Sequence, residues 1–402
     1  MVLHAPLAVL SALALISSRQ PAALRARPAR ASGIAMRVEP AGPKLPKGLE
    51  GRDVERDVYM HPAELPYHDG SRPAGALDLA MANFKRQGST IFTQLGQMSG
   101  LLPRAEDKPP ACLGLVLSNE AVLEAERRRE QAGVRVDAHP VSRALYDVGC
   151  FFLDQFFDGR PIARFWFLET VARIPYFAYV SMLHLYESLG WWRAPELRKV
   201  HGAEEWNELH HLLIMESLGG DALWSDRFLG YHCAIVYYWL LIATYLFSPA
   251  VAYQFMELLE AHAVDTYSTF VKENRALLKM LPPPSVARSY YTGADLYSFD
   301  DFQMRPAGSR RPPCDSLLDV FVNICEDEGE HVKTMRACQD YALVGSVVTS
   351  PHVVRPDSLQ GQGQGTAGGA PRDEAEDEVS KEARMRWNEW AGQIAQEMRA
   401  GR

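Results

Sequence analysis

Acidic side chains inside long apolar segments constrain this 402-residue chain more than any other feature. Glu169 lies in RFWFLETVARIPYF and Glu260 lies in VAYQFMELLEAHAV. A carboxylate buried among apolar groups is unstable unless something positive meets it, so each of these glutamates needs a partner. Arg173 follows Glu169 by four residues and offers a structural ion pair on the same helix face. Taken alone, each glutamate is better explained by structure than by catalysis.

Two Glu-x-x-His motifs, Glu208–His211 and Glu328–His331, occupy two other helical segments. Residues at i and i+3 lie on one helix face, so each pair can point at one place in space. The chain order is therefore Glu, Glu-x-x-His, Glu, Glu-x-x-His, the ligand set of ferritin-like di-iron and di-manganese bundles. Four carboxylates and two imidazoles suit two redox-active iron ions better than zinc, which prefers fewer and softer ligands.

The central part of the chain predicts an all-α fold, because it shows helical spacing and no strand-like alternation. We predict a ferritin-like four-helix bundle that holds a di-iron carboxylate site within a helical domain at 141–345. The predicted helices cover residues 142–158, 163–189, 203–218, 228–247, 250–274 and 316–341. A Pro- and Tyr-rich connection that is too long to be a simple turn separates the last two.

Two of these helices point to a membrane surface. Residues 228–247 are uncharged, and 142–158 carry an aromatic side at helical spacing. A mean hydropathy of −0.18 excludes a polytopic membrane protein. We therefore predict two apolar-faced attachment helices that lie in one leaflet, a monotopic arrangement. A core helix at 228–247 is the alternative.

The flanking regions have different compositions. Residues 1–40 join an apolar run to a basic segment without acids, which predicts a bipartite presequence for a plastid reached through the secretory route. A single mitochondrial or chloroplast presequence is the alternative. Residues 41–140 predict a largely irregular N-terminal extension, with one short helix around 120–130. Residues 346–402 predict a flexible Gly/Gln linker and a charged C-terminal tail, with a charged helical stretch near residues 381–398.

Charge and cysteine content exclude further classes of function. The net charge of −8 gives no bulk electrostatic reason to bind nucleic acid. The six cysteines form no Cys-x-x-Cys pair, so we expect reduced thiols without a zinc site or a disulfide framework.

Four segments together resemble the alternative oxidase family: RFWFLETVARIPYFAYVSMLHLYE, AEEWNELHHLLIMESLGG, LEAHAVDTYSTF and EDEGEHVKTMRACQ. Within it, NELHHLLIMESLGG and SYYTGADLYSFDDFQ resemble the plastid terminal oxidases more than the mitochondrial branch. The resemblance covers about residues 142–341. Gly329 stands where the family more often has alanine, which loosens that helix by about 1 kcal/mol.

The resemblance implies roles for individual residues. It implies two iron ions per chain, with Glu208 and Glu328 as the bridging ligands among Glu169, Glu208, His211, Glu260, Glu328 and His331. It implies that Tyr267 is catalytic, as a donor of an electron and a proton. It also implies a quinol pocket at Arg164, Leu168, Ala263 and Thr266. Further positions characteristic of the family are His184, Tyr245 and Asp327. Asp327 could orient His211 or His331, whereas His184 is either a hydrogen-bonded core histidine or a participant in the chemistry.

The resemblance also implies a function. A plastid plastoquinol oxidase would reduce dioxygen to water without pumping protons, balance the plastoquinone pool and support carotenoid desaturation. We expect a homodimer on the stromal surface of the thylakoid membrane. The alternatives are a mitochondrial-type ubiquinol oxidase, a soluble di-iron hydroxylase or desaturase, and a ferritin-like iron-binding protein.

Overall fold

Helices make up the regular structure of the chain. The computed structural model describes residues 44–60, 74–103, 109–293, 312–344 and 374–400, and these ranges contain no β-strand. The α-helices are α1 (Val54–Asp57), α2 (Ala76–Met98), α3 (Asn119–Gln131), α4 (Pro140–Phe157), α5 (Pro161–Ser188), α6 (Pro195–Ser217), α7 (Trp224–Phe247), α8 (Pro249–Leu278), α9 (Ser285–Thr292), α10 (Leu317–Val344) and α11 (Glu374–Ala400). The predicted all-α class is confirmed.

Prolines mark where four of the long helices begin. Pro140, Pro161, Pro195 and Pro249 occupy the first turns of α4, α5, α6 and α8. Proline is favoured there because its fixed φ suits the helix and the missing N–H would have no partner within the helix. Three of these helices begin within two residues of their predicted starts, whereas α6 begins eight residues before position 203.

The four helices that carry the Glu and Glu-x-x-His residues form a bundle of two packed pairs. α5 packs along α6, and α8 packs along α10. Aromatic rings join the pairs: Phe165 on α5 stacks on Tyr267 of α8 at 4.3 Å, and lies 5.9 Å from Phe321 of α10 between ring centroids. This arrangement confirms the predicted four-helix bundle.

The helix α7 packs against α5 and α8 and leaves much of its surface uncovered. Within the described residues it is the one helix long and apolar enough to cross a membrane, judged by length and composition alone. Only 22% of its most apolar window is buried, so the alternative of a buried core helix is not supported. The large apolar side chains exposed on α7 are Phe228, Ile235, Val236, Trp239, Leu240, Leu246 and Phe247, and those on α4 are Val141, Val148 and Phe151.

The structure corrects the prediction that residues 41–140 are largely irregular. This region contains α2, a helix of 23 residues, in addition to α3 near the predicted position. No residue of α2 is buried, and its polar side chains attach it to the start of α7. Gln94 donates a hydrogen bond to the Ala222 carbonyl, and Gln87 accepts from Arg227. The sequence hides this helix because Gly88-Ser89-Thr90 interrupts its middle.

The C-terminal segment contains α11, which covers the helical stretch predicted near residues 381–398 and begins seven residues earlier. The helix α11 packs on α10 and α8, and the side chains of Trp387 and Met398 are each only 1% exposed. Trp390 and Ile394 lie partly buried between them, so four apolar residues spaced by three or four positions form one face. The predicted presequence and the predicted Gly/Gln linker lie outside the described residues. The six cysteines all lie within the described residues, and none of them forms a disulfide bond.

Glu216, near the end of α6, gives the fold a pH dependence. Burial and the neighbouring charge of Asp221 raise the pKa of Glu216 to about 7. The folded protein therefore holds this proton more tightly than the unfolded chain, and stability declines as the pH rises from about 4.5 to about 7.

We expect Glu216→Gln to raise the free energy of unfolding at pH 8 by about 2 kcal/mol and to change it little at pH 4.5. Denaturant unfolding followed by circular dichroism at the two pH values measures the difference. The exposed Glu389 gives the control, and Glu389→Gln should change neither value. An equal stabilisation by Glu216→Gln at both pH values would contradict this assignment.

Candidate metal centre

Six buried side chains converge at the middle of the bundle in two overlapping groups. In each group, one donor atom per residue lies within 4.8 Å of the others. The first group consists of Glu169, Glu208, His211 and Glu328, and the second of Glu208, Glu260, Glu328 and His331. Glu208 and Glu328 belong to both groups. The structure thus brings together all six residues that the sequence suggested as ligands, and places the two expected bridges between the groups.

The imidazole nitrogens face the carboxylates directly. The Nδ1 atom of His211 lies 3.2 Å from Glu328 Oε1 and 3.8 Å from Glu169 Oε2. The Nδ1 atom of His331 lies 2.8 Å from Glu208 Oε1 and 3.8 Å from Glu260 Oε2. Because each histidine sits one helical turn from a glutamate of its own motif, both members of the motif reach the same group.

The donor set fits a pair of divalent cations. Glu169 Oε2 and both carboxylate oxygens of Glu208 are buried and accept no hydrogen bond. Burial raises the pKa of Glu169 and of Glu328, and the charge of Glu208 raises both further. A bound cation would supply positive charge to these buried carboxyls and compensate their mutual repulsion. The structure therefore contains a buried cluster that could bind metal.

The ion pair between Glu169 and Arg173, suggested by their spacing, does not form. The guanidinium of Arg173 donates hydrogen bonds to Glu205 on α6 instead. Both of these side chains are partly exposed at the edge of the α5–α6 pair. Arg173 is therefore not the partner of Glu169, and the explanation by this local ion pair is removed.

Asp327 orients His211 from behind. Its Oδ2 atom lies 3.1 Å from His211 Nε2 and accepts hydrogen bonds from Tyr291 at 2.9 Å and Asn207 at 3.1 Å. A carboxylate can only accept here, so His211 Nε2 carries a proton, and Nδ1 is the nitrogen that faces the carboxylate group. Of the two histidines considered for Asp327, the structure selects His211. Sequence reasoning missed Tyr291, which α9 carries, and Asn207.

We expect Asp327→Asn to lower the affinity for iron by about 10- to 100-fold, because the charged carboxylate that accepts from His211 Nε2 becomes a neutral amide, which is a weaker acceptor. Competition with a coloured iron chelator measures this affinity in the purified protein. Asn323, one turn before Asp327, provides the comparison, since it bonds to the Pro313 carbonyl rather than to a histidine. An unchanged affinity in Asp327→Asn would show that His211 does not depend on this carboxylate.

Tyr267 lies against the first group. It is 1% exposed, and its hydroxyl donates a hydrogen bond to Glu169 Oε1. The sequence placed it two turns after Glu260 on the same helix, yet the structure directs it to the glutamate of another helix. Burial and the charge of Glu169 raise the pKa of Tyr267, so the phenol stays protonated.

A buried aromatic cluster adjoins the second group. Tyr176 donates a hydrogen bond of 2.8 Å to Glu260 Oε1, and its ring lies 6.1 Å from that of His201. His201 in turn contacts the hydroxyl of Tyr253 at 3.0 Å, and Tyr253 contacts Tyr245 at 3.2 Å. Tyr245 is therefore buried but several contacts removed from the carboxylates. Sequence reasoning missed Tyr176 and His201, which have no motif of their own.

The structure does not place His184 with the carboxylates. This histidine is exposed on α5, neither in the core nor beside the carboxylates. It follows Glu169 by fifteen residues, which corresponds to about 22 Å along a helix. Resemblance along the chain does not imply proximity when about four turns of one helix separate two positions.

A cavity of about 270 Å³ lies between α3, α4, α5 and α8, and Arg164 contributes to its wall. Of the four residues suggested for a quinol pocket, Leu168, Ala263 and Thr266 do not line this cavity. Thr266 instead donates its hydroxyl to the His262 carbonyl. The cavity is lined by Asn119, Val122, Leu123, Glu126, Glu130, Arg143, Tyr146, Asp147, Cys150, Asp154, Arg164 and His262.

His262 is the buried group of this cavity that the sequence analysis missed. Arg164 Nη2 lies 3.4 Å from His262 Nε2, and Tyr146 hydroxyl lies 3.1 Å from His262 Nδ1. Burial and the charge of Arg164 lower the pKa of His262 to about 3, so the ring is neutral. Because arginine only donates, Nε2 accepts and Nδ1 donates to Tyr146, which donates to Glu126 at 2.9 Å.

Comparison with known proteins agrees with this geometry. A family model described as alternative oxidase matches residues 130–340. "Ubiquinol oxidase 4, chloroplastic/chromoplastic" of Arabidopsis thaliana is 53% identical over 206 residues, which are 51% of this chain and 58% of the relative. "Ubiquinol oxidase 1, mitochondrial" of Nicotiana tabacum is 27% identical over 184 residues, 44% of this chain and 45% of the relative. The chain spans about half the length of these curated relatives.

Proposed function

Because the chain belongs to the alternative oxidase family, whose model matches just over half of it, we propose that it is a plastid plastoquinol oxidase. Two quinols would deliver four electrons and four protons to one dioxygen and leave as two quinones, with two waters formed. The observation that carries the proposal is the pair of buried groups that share Glu208 and Glu328. The greater similarity to a chloroplastic relative than to mitochondrial ones supports the plastid assignment over a mitochondrial ubiquinol oxidase.

The six clustered residues would hold two iron ions, one in each group. When bound, the irons supply the redox chemistry that reduces dioxygen, which amino-acid side chains cannot perform. The chain contributes the rest: Asp327 orients His211, and Tyr176 and Tyr267 each donate a hydrogen bond to a carboxylate. Full burial of the cluster keeps bulk water away from the reaction.

The quinol head group would enter the cavity beside Arg164. The guanidinium of Arg164 is held by Asp154 at 2.9 Å and by Asn119 at 2.7 Å, so it presents a fixed charge to the cavity. The carboxylates along the wall can accept the hydroxyl hydrogens of a quinol. Leu168, Ala263 and Thr266 remain part of the proposed pocket through the resemblance, on the same two helices as Arg164 and His262.

The membrane is part of the proposal because a quinol is dissolved in lipid. The apolar side chains exposed on α4 and α7 support attachment to one leaflet. The plastid relative supports a chloroplast location, and we assign the protein to the stromal surface of the thylakoid membrane, as a homodimer. Exposed apolar helices count against a soluble hydroxylase, a soluble desaturase or a ferritin-like store.

We expect Val236→Glu combined with Trp239→Glu on α7 to reduce the vesicle-bound fraction at least about tenfold, because both side chains are exposed and apolar. Flotation with vesicles of thylakoid lipid composition measures this fraction. Val116→Glu combined with Met385→Glu makes the same change at exposed apolar positions elsewhere. Equal losses from the two pairs would contradict attachment through α7.

Oxygen uptake by membranes that contain the iron-loaded protein tests the function. A plastoquinol analogue should support uptake that resists cyanide, and Glu328→Ala should abolish it. A ubiquinol analogue in a parallel assay separates the two quinols. A protein that binds two irons per chain but consumes no oxygen with either quinol would overturn the proposal and favour a soluble-type di-iron enzyme.

A further inference from the structure

The C-terminal helix α11 lies outside the part of the chain that the family model matches. That match ends at residue 340, whereas α11 spans Glu374–Ala400. The helix nevertheless contacts α10, which carries Glu328 and His331, and α8, which carries Glu260. A segment additional to the matched domain therefore touches two of the four ligand-bearing helices.

The contact with α10 falls between two proposed metal ligands. The indole Nε1 of Trp387 donates a hydrogen bond of 3.1 Å to the carbonyl oxygen of Gly329. Gly329 follows Glu328 directly and precedes His331 by two residues. In a helix this carbonyl already accepts from the amide four residues on, so Trp387 uses its second lone pair.

Gly329 has the lowest helix propensity of the four residues in the Glu328–His331 motif. Glycine has more backbone freedom than any other residue and disfavours a helix interior. A Cβ atom at this position would meet nothing within 4 Å, so no close contact requires glycine here. The hydrogen bond from Trp387 therefore stabilises α10 at the residue of this motif with the lowest helix propensity.

Trp387 is also a residue through which α11 contacts α10 directly. A cavity of about 250 Å³ separates the two helices beyond this point, with Gly329, Lys333 and Gly392 among its lining residues. Ion pairs hold the far end of α11, where Arg399 meets Glu326 at 2.9 Å and Glu397 meets Lys272 at 2.9 Å. The buried indole thus bonds directly to the backbone of the motif that carries Glu328 and His331.

We propose that α11 is a positioning element of the metal centre, and that Trp387 holds the Glu328–His331 turn of α10 in its ligand-bearing geometry. The proposal rests on the proposed metal centre. Trp387 touches neither substrate nor metal ligand side chains, so it acts through the backbone at Gly329. Loss of its N–H should loosen this turn locally, and a residue that stiffens the turn should compensate.

Trp387→Phe removes the N–H and keeps an aromatic ring, and Trp390→Phe makes the same change one turn later as the control. We expect amide hydrogen exchange of the peptide 326–336 in the full-length, metal-free protein to become about tenfold faster in Trp387→Phe. Gly329→Ala in the Trp387→Phe background should restore slow exchange, while exchange in α5 should not change in any variant.

The iron-loaded protein gives an independent readout. Release of iron to a chelator should be about tenfold faster in Trp387→Phe, normal in Trp390→Phe, and restored by Gly329→Ala. Unchanged exchange at 326–336, or equal acceleration throughout the bundle without rescue, would overturn the proposal. If the wild-type protein bound no iron, the proposed function would fail while the exchange result in metal-free protein still stood on its own.

Discussion

Replacement of Glu208 by alanine is expected to remove both metal ions and to lower oxygen uptake by at least about a thousandfold. Glu208 belongs to both groups of donors, so its loss leaves each group with three residues. It also leaves three carboxylates to balance the charge of two divalent ions. Iron per chain, measured by mass spectrometry of the purified protein, should fall from about two to near zero.

Glu169 and Glu260 supply the matched comparison, because each belongs to one group only. Glu169→Ala leaves the second group complete, and Glu260→Ala leaves the first group complete. Each of these variants should keep about one iron per chain. Retention of one iron by Glu208→Ala, or loss of both by Glu169→Ala, would show that the carboxylates are not shared as the geometry indicates.

Tyr267→Phe is expected to lower oxygen uptake by about a hundredfold or more while both irons stay bound. The hydroxyl of Tyr267 donates to Glu169, so it can deliver a proton and an electron at the edge of the cluster, and phenylalanine can deliver neither. The ring itself stacks on Phe165 at 4.3 Å, and phenylalanine preserves that contact. The melting temperature should therefore change little.

Uptake, bound iron and melting temperature are measured together for this variant. Tyr179→Phe provides the control, because Tyr179 is equally buried but its hydroxyl donates to the Ala252 carbonyl, not to a carboxylate. Near-normal uptake in Tyr267→Phe would exclude the phenol from the reaction. Loss of iron together with uptake would instead assign Tyr267 to holding Glu169 in place.

The sequence predicted the candidate cluster well for a local reason. A Glu-x-x-His spacing places both side chains on one helix face whatever the helix packs against. Long apolar segments with helical spacing indicate where the helices lie. The residues around the cluster carry no such spacing. Asn207 and Tyr291 reach Asp327 from two other helices, and His201 reaches the cluster through Tyr176.

The errors have the same origin. The resemblance drew attention to His184, yet about four turns of α5 separate it from Glu169 and it lies on the surface. Arg173 was a possible partner for Glu169 by spacing, yet Glu205 on the adjacent helix pairs with it. The apolar face of α11 was readable from Trp387, Trp390, Ile394 and Met398 at helical spacing, but the flanking charges hid it.

The sequence by itself determined the helical class, the start of several helices at prolines and the face that each Glu-x-x-His motif presents. These features depend on the periodicity of the chain over a few residues. Only the tertiary structure decided that Glu208 and Glu328 stand between the two groups, that Asp327 serves His211, and that Trp387 bonds to Gly329. Such contacts join residues as many as 120 positions apart, and the packing of whole helices, not local spacing, sets their geometry.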